Sequence, residues 1–121
     1  MGGGSDYQRF RARFREAMDP RLYPIAYLDG LVRSGIAHFR CTERAAIVFA
    51  LRQYPSGASD VHGLVAAGDM NEIVERLIPE AEAWGKQQGC IGALIESRAG
   101  WARLLKRHGY EPHQMAVRKE L

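Results

Sequence analysis

The segment with the clearest chemical potential is LVAAGDMNEIVERL, residues 64–77, which changes character halfway along its length. Its first half is small and apolar, whereas its second half places apolar residues at helical spacing. A strand that turns sharply into a helix N-terminus commonly holds a phosphate, because free backbone N–H groups and the helix dipole attract anions. The candidate phosphate-binding residues are Ala67, Gly68, Asp69, Met70 and Asn71. The alternative is a tight turn in which Asp69 only caps the helix.

The composition is that of a single globular domain. The chain has 121 residues, of which 46% are hydrophobic and 26% charged, and its net charge is +3. No apolar run approaches transmembrane length, and the two cysteines and four histidines show no metal-ligand spacing. We therefore expect no membrane association and no metal, and a reducing, cytoplasmic setting.

Two groups of basic residues carry much of the positive charge. Solvated helix faces explain such groups in most proteins, and a phosphate-bearing ligand or a nucleic-acid surface is the alternative. The sequence does not interleave aromatic residues with the basic ones, so nucleic-acid binding ranks last. The basic residues are Arg9, Arg11, Arg13 and Arg15, and then Arg98, Arg103, Lys106 and Arg107.

Periodicity predicts the elements that position the 64–77 segment. An amphipathic helix over 5–18 comes first, with Phe10, Phe14 and Met18 as its apolar stripe, and we treat residues 1–19 as an arm and 20–121 as one domain. A second helix, three strands of an antiparallel meander, a long helix, a strand, a helix and a last strand are expected to follow. Their predicted ranges are 25–34, 36–41, 45–54, 61–67, 70–88, 90–97, 98–108 and 114–118.

The long helix has the strongest pattern. Asp69 is a good N-cap residue, and Glu72 completes a capping pair three positions later. Pro79 falls inside the helix and is expected to remove one backbone hydrogen bond and kink it.

The order of elements and the stretches AGDMNEIVERLIPEAEAWGKQQGC and SRAGWARLLKRHGYE resemble the GNAT acetyltransferase fold. They are especially similar to short GNAT-like proteins encoded among phage and prophage virion genes. The resemblance implies an α/β (α+β) fold in which acetyl-CoA would lie at the turn before the long helix. It also implies a host-cytoplasmic or virion location.

The motifs of active GNAT enzymes are incomplete in this chain. The resemblance implies an Arg or Gln and two small residues before the long helix, but VAAGDMNE supplies one glycine and a carboxylate, which repels an anion. It also implies a tyrosine as general acid four residues before the last helix's Gly-aromatic pair, where this chain has Leu105. His62, with Asp60 two residues before it on the same strand, is the candidate base, and the alternative is an edge or partly buried histidine without a catalytic role.

Two functions stay open at this point. The first is a GNAT-like protein without acetyl-CoA turnover, which binds a protein partner or self-associates through the N-terminal helix. The second is an active N-acetyltransferase that moves an acetyl group from acetyl-CoA to an amine. In that case Lys86, Arg98 or Arg103 would compensate for the loop by pairing with the phosphates of the cofactor.

Overall fold

Apolar residues in alternation build a four-stranded sheet at the centre of the molecule. The computed structural model describes residues 3–96 and 99–121. Its elements are α1 (Gly3–Ala17), α2 (Ile25–Arg33), β1 (Ala37–Cys41), β2 (Ala45–Gln53), β3 (Ser59–Gly68), α3 (Met70–Glu72), a π-helical segment (Ile73–Leu77), α4 (Ile78–Gln87), β4 (Gly92–Ile95), α5 (Ala99–Leu105) and a 3-10 turn (Lys106–His108). We call the continuous run over residues 70–87 the site helix. None of the helices among the described residues is long and apolar enough to cross a membrane.

The strand order is β1-β2-β3-β4, with antiparallel pairing up to β3 and parallel pairing between β3 and β4. The site helix connects the two parallel strands, since a parallel pair needs a crossover connection. The predicted meander followed by a βαβ unit is thus confirmed. Alternation along β2 divides the core: Phe49 packs beneath the site helix and α5, whereas Val48 packs beneath α1 and α2.

The apolar stripe of α1 packs onto the sheet. Phe10 and Phe14 are 2% and 0% exposed, and both rings lie within 6.4 Å of the ring of Phe39, centroid to centroid. The guanidinium of Arg11 also donates to Asp29 of α2, at 2.8 Å from Nη2 to Oδ2. This helix is therefore part of one folded layer with α2.

Pro79 is accommodated by a change of helical type. Only Ile78 separates it from the π-helical segment, and the Ile78 N–H donates to the Ile73 carbonyl five residues back. A wider turn relieves the clash that a proline ring makes with the preceding turn of an α-helix. The predicted disturbance at Pro79 takes the form of this π-helical segment.

The close approach of the helix backbone at Gly85 to β3 sets the distance between the site helix and the sheet. A Cβ atom added to Gly85 would lie 2.8 Å from Cβ of Val61, so only a glycine lets the helix backbone come this close to β3. Val61 itself is buried in the core under the helix. Gly85 therefore positions the helix above the part of β3 that borders β4.

The predicted strand over 114–118 is wrong. Residues 111–121 form no strand, and Met115 and Val117 are both 88% exposed. Alternation in a short segment specifies a strand only where a neighbouring strand accepts its backbone hydrogen bonds, and none pairs with it here. The segment instead brings Glu120 to within 3.3 Å of Arg21, between Oε1 and Nη1, in the connection between α1 and α2.

Candidate functional site

The two parallel strands stay paired over only a short length. Asp60–Gly63 of β3 pair with Gly92–Ile95 of β4, and β3 then continues to Gly68 without a paired residue of β4. The register with β2 shifts at this point: Val48 pairs with Val65 and Phe49 with Gly63, which leaves Leu64 as a bulged residue. A bulge bends its strand. We conclude that the sheet opens beyond Gly63.

A cavity of about 390 Å³ lies at this opening. The walls come from β2, β3 and β4, and the site helix and α5 cover it, so it lies between layers of the fold. The size is that of a small-molecule site, which usually has a few polar groups in an apolar lining. The apolar side chains around it include Ile47, Phe49, Val61, Ile73, Ile78, Ala81, Ile95 and Trp101.

One polar pair in the cavity joins the site helix to the residues after α5. The hydroxyl of Tyr110 donates to Oε2 of Glu82 at 2.5 Å, and both residues line the cavity. Burial raises the pKa of Tyr110, and the hydrogen bond and negative charge of Glu82 raise it further. Tyr110 is therefore a neutral donor that holds this carboxylate in place.

A second polar pair lies where β4 ends. Oε1 of Glu96, a residue that lines the cavity, is 2.9 Å from Nε2 of His62 and 3.6 Å from Nη1 of Arg52. The imidazole is only 16% exposed and lies on the α1–α2 face of the sheet, since its neighbour Val61 faces the site helix. Asp60, expected beside His62, instead accepts a hydrogen bond from the Tyr54 hydroxyl at 2.8 Å. Glu96 is thus the carboxylate that orients His62.

The turn at 67–71 is closed by its own contacts. Asp69 Oδ1 accepts from the Glu72 N–H at 3.0 Å, which confirms the predicted cap. Gly68 has φ +102°, and an added Cβ would lie 2.1 Å from the Arg44 carbonyl oxygen. The Asp69 N–H donates to that same oxygen, and the Arg44 guanidinium pairs with Glu72 at 2.9 Å.

These contacts explain the glycine and the aspartate without a ligand. Gly68 is needed for its φ and for the close approach of Arg44. Asp69 and Glu72 place two carboxylates at the first turn of the site helix, where the helix dipole is already neutralised by negative charge. The cavity lining includes Ala66 and Ile73 but none of the five candidate residues between them.

The remaining candidates lie apart from the cavity lining. Met70, Asn71, Lys86 and Arg103 are exposed, and none of them borders the cavity. Arg98 lies outside the described residues. Leu105, at the position where the resemblance implies an acid, is 3% exposed and packs in the core under the site helix.

Sequence reasoning missed Glu82, Glu96 and Tyr110 as residues of the site. A signal existed for Glu82: it follows Ile78 by four positions, so it extends the inward face of the helix and is a carboxylate where an apolar residue is expected. The sequence gives no such signal for Glu96 and Tyr110. Each follows the end of an element, and a single sequence does not identify which elements pack beside it.

Solved structures of several acetyltransferases share this architecture. The ribosomal-protein-alanine N-acetyltransferase from Brucella melitensis biovar Abortus 2308 matches with a TM-score of 0.68 and 10% identity, over 97% of this chain and 92% of that one. The aminoglycoside antibiotic 6'-N-acetyltransferase of Acinetobacter haemolyticus matches with a TM-score of 0.69 and 13% identity, over 96% and 92%. A predicted acetyltransferase from Clostridium acetobutylicum, solved with acetyl-CoA, matches with a TM-score of 0.70 and 8% identity, over 95% and 90%.

No protein-family model and no curated protein sequence matches this chain. At these low identities the likeness to solved structures concerns the fold. The chain therefore has a GNAT-like fold, which confirms the predicted fold class.

Proposed function

We propose that this chain is a GNAT-like protein that does not turn over acetyl-CoA and acts as a binding or structural protein. The observation that carries the proposal is the closed turn at 67–71, in which Asp69 caps the site helix and Glu72 pairs with Arg44. A pyrophosphate bound there would displace the cap and face two carboxylates. Asp69 and Glu72 already take up the favourable interaction with the helix dipole, about 0.3–1 kcal/mol for each charge, that a bound anion would otherwise gain.

The absence of an acid at Leu105 supports the same proposal. Departure of a thiolate is assisted by a proton donor at that site, and a leucine side chain has no proton to transfer. Tyr110 borders the cavity but is a poor substitute, because burial and the Glu82 carboxylate raise its pKa. A hydroxyl with a raised pKa is a weaker acid and protonates a departing thiolate less readily.

The partner in this proposal is a protein of phage or prophage particles, or a second copy, that contacts α1. The likeness of AWGKQQGC and GWARLLKRHGY to virion-gene products supports the first. Because Phe10 and Phe14 pack onto the sheet, the surface of α1 open to a partner is its solvent face, which the exposed Arg13 and Arg15 flank at opposite edges. Replacing both arginines with glutamate should abolish association, and light scattering or pull-down with virion proteins at low and high salt measures it. Association that persists after this charge reversal would contradict a contact through α1.

An active N-acetyltransferase is the second candidate, and one observation favours it. Glu96 lines the cavity and lies 2.9 Å from Nε2 of His62 on the α1–α2 face of the sheet, and this carboxylate–imidazole pair could accept a proton from an amine in the cavity. The acetyl group would come from acetyl-CoA, the cofactor in the solved Clostridium acetobutylicum structure.

A thiol-release assay separates the two candidates. The protein is mixed with acetyl-CoA and a panel of small amines and lysine peptides, and free coenzyme A thiol is followed over time. We expect no release above the rate without protein. Release that His62→Gln abolishes, and that Glu43→Gln at an exposed turn leaves intact, would establish the enzyme and overturn our proposal.

A further inference from the structure

A second cavity lies near the opposite edge of the sheet, which β1 forms. Its volume is about 460 Å³, within the range of about 300–1,000 Å³ that is usual for ligand sites. The walls come from the start of β1, the end of β2 and the C-terminal end of the site helix. We call this space the edge cavity. Its described lining shares no residue with that of the cavity between β3 and β4, so it is a separate candidate site.

Two aromatic rings line the edge cavity, and a third holds them in place. The ring centroids of Trp84 and His38, both lining residues, are 4.6 Å apart. The buried ring of Phe49 lies 5.2 Å from Trp84 and 5.8 Å from His38, centroid to centroid, so the pair is packed against the core. Aromatic rings attract other flat rings in offset-stacked or edge-to-face arrangements. The lining therefore favours a ligand that contains a flat ring.

The aliphatic side chains beside these rings are open to solvent. Ile36 is 63% exposed and Leu51 is 39% exposed, and both line the edge cavity. Covering such side chains removes apolar surface from water, which is favourable. A ligand with an apolar face would gain this contribution in addition to its contact with the aromatic rings.

None of the described lining residues of the edge cavity carries a charge at neutral pH. Burial lowers the pKa of His38, and the positive charge of Arg40 lowers it further, so the imidazole is neutral. A charged ligand would lose part of its hydration here without gaining a counter-charge from the lining, which is unfavourable. The edge cavity should thus favour an uncharged ligand.

Two glutamines supply amide groups to the edge cavity. Gln53 ends β2 and Gln88 directly follows the site helix, and both side chains are exposed. Each amide has a donor and an acceptor side by side, so a ligand with the same two groups on one edge, as in a carboxamide, can form paired hydrogen bonds with it. Gln88 follows Trp84 by four positions, which makes the two side chains neighbours at the end of the helix. A ring placed on Trp84 would therefore bring its carboxamide to Gln88.

We propose that the edge cavity binds a small, uncharged aromatic carboxamide, with the ring against Trp84 and the carboxamide at Gln88. The ring follows from the aromatic lining, the absence of charge from the uncharged lining residues, and the carboxamide from the glutamine amide. This inference is independent of the proposed function, since it involves neither the turn at 67–71 nor the cavity between β3 and β4.

The test compares four probes by NMR on the full-length protein at neutral pH. Nicotinamide should shift the indole N–H resonance of Trp84 saturably at millimolar concentration. Nicotinate and 1-methylnicotinamide keep the ring but carry a negative and a positive charge, and each should bind about five-fold more weakly or worse, because the lining offers no counter-charge. Cyclohexanecarboxamide keeps the amide but lacks the flat ring, and should also bind about five-fold more weakly. A charged probe that binds as tightly as nicotinamide, or no saturable shift with nicotinamide, would overturn the inference.

Two variants locate the effect. Gln88→Glu puts a carboxylate of the same shape into the lining, and should make the cation 1-methylnicotinamide bind at least as tightly as nicotinamide. Gln87→Glu adds the same charge at the neighbouring exposed position outside the described lining, and should leave nicotinamide the tighter ligand, because salt screens a charge that faces solvent. An unchanged preference in Gln88→Glu, or the same change in both variants, would contradict the assignment of the carboxamide to Gln88.

The two tryptophans show which cavity a probe occupies. Trp84 lines the edge cavity, whereas Trp101 lines the cavity between β3 and β4. Nicotinamide should shift the indole N–H resonance of Trp84 and leave that of Trp101 in place. The reverse pattern would place the probe in the other cavity and refute this site.

Discussion

Asp69 decides how the first turn of the site helix uses its free N–H groups. Its carboxylate accepts from the Glu72 N–H at 3.0 Å, whereas the Ile73 N–H makes the ordinary helical bond to the Asp69 carbonyl. An anion-binding turn would leave the Glu72 N–H to the ligand. Asp69 thus stabilises the helix as its cap and occupies an N–H group that a phosphate would otherwise bind.

Asp69→Ala should lower the free energy of unfolding by about 1 kcal/mol, since the cap hydrogen bond is lost. Asp69→Asn keeps an acceptor oxygen and should lose clearly less. Urea denaturation followed by circular dichroism measures both. Equal stability of the alanine variant and the unchanged protein would mean that the cap contributes nothing.

Gly68→Ala tests the close approach to Arg44, and Gly57→Ala is its matched control. Both glycines have positive φ, +102° and +92°, so an alanine at either position incurs backbone strain of about 1–2 kcal/mol. Only Gly68 would place its Cβ 2.1 Å from a backbone oxygen, whereas Gly57 has open space around it. We expect the Gly68 variant to be at least two-fold more destabilised in urea denaturation, and equal losses would exclude a role for the Arg44 contact.

The contact between α1 and α2 includes an ion pair with bidentate geometry. Arg11 donates to both oxygens of Asp29, and the Tyr7 hydroxyl donates to the same carboxylate at 2.7 Å. The hydrogen bonds from Arg11 hold the pKa of Asp29 below its usual range, and Tyr7 adds to this. The pair joins the first helix of the chain to the second.

A lowered pKa in the folded state gives a defined pH dependence. The stabilisation is fully present above the unfolded-state pKa of about 3.9 and is lost as the pH falls from there through the lower folded-state pKa. Urea midpoints at pH 6, 4 and 3 should therefore decline more steeply in the unchanged protein than in Asp29→Asn. Parallel declines would show that Asp29 does not contribute to acid sensitivity.

The apolar stripe of α1 gives a second prediction at this scale. Phe14 is fully buried, so Phe14→Ala should cost about 3–5 kcal/mol, whereas Arg13→Ala at the exposed neighbour should cost little. Thermal unfolding of the two variants measures the difference. Similar melting temperatures would mean that α1 is a loosely attached arm.

Sequence periodicity predicted elements that bury a continuous apolar stripe or strand. The stripe of α1, the strands up to β3 and the capped site helix all have local patterns that tertiary packing reinforces. The segment 114–118 shows the limit of this reasoning, because its alternation is local but its partner strand would have to come from elsewhere. Pro79 was recognised as a disturbance, but the π-helical form depends on packing that the sequence does not display.

The candidate site was less predictable because it forms between layers. The cavity depends on where β3 and β4 stop pairing, and that point follows from a bulge at Leu64 and the short length of β4. Glu82, Glu96 and Tyr110 lie far apart along the chain and meet only through this arrangement. The candidate base His62 has Glu96 rather than Asp60 as its partner, and a single sequence does not place Glu96 beside it.

At the scale of the whole molecule, the fold and the first turn of the site helix indicate different functions. The architecture is that of acetyltransferases, with an opening between two parallel strands and a helix above it. The helix N-terminus is nevertheless closed by Asp69, Glu72 and Arg44. We therefore propose that the molecule acts through a binding surface and not through a pyrophosphate site.

The most direct test of that account is calorimetric titration of the full-length protein with acetyl-CoA. The closed turn predicts no measurable heat of binding up to millimolar cofactor. Saturable binding of acetyl-CoA at low-micromolar concentration would contradict the central claim. It would mean that the two carboxylates at the site helix do not exclude the pyrophosphate.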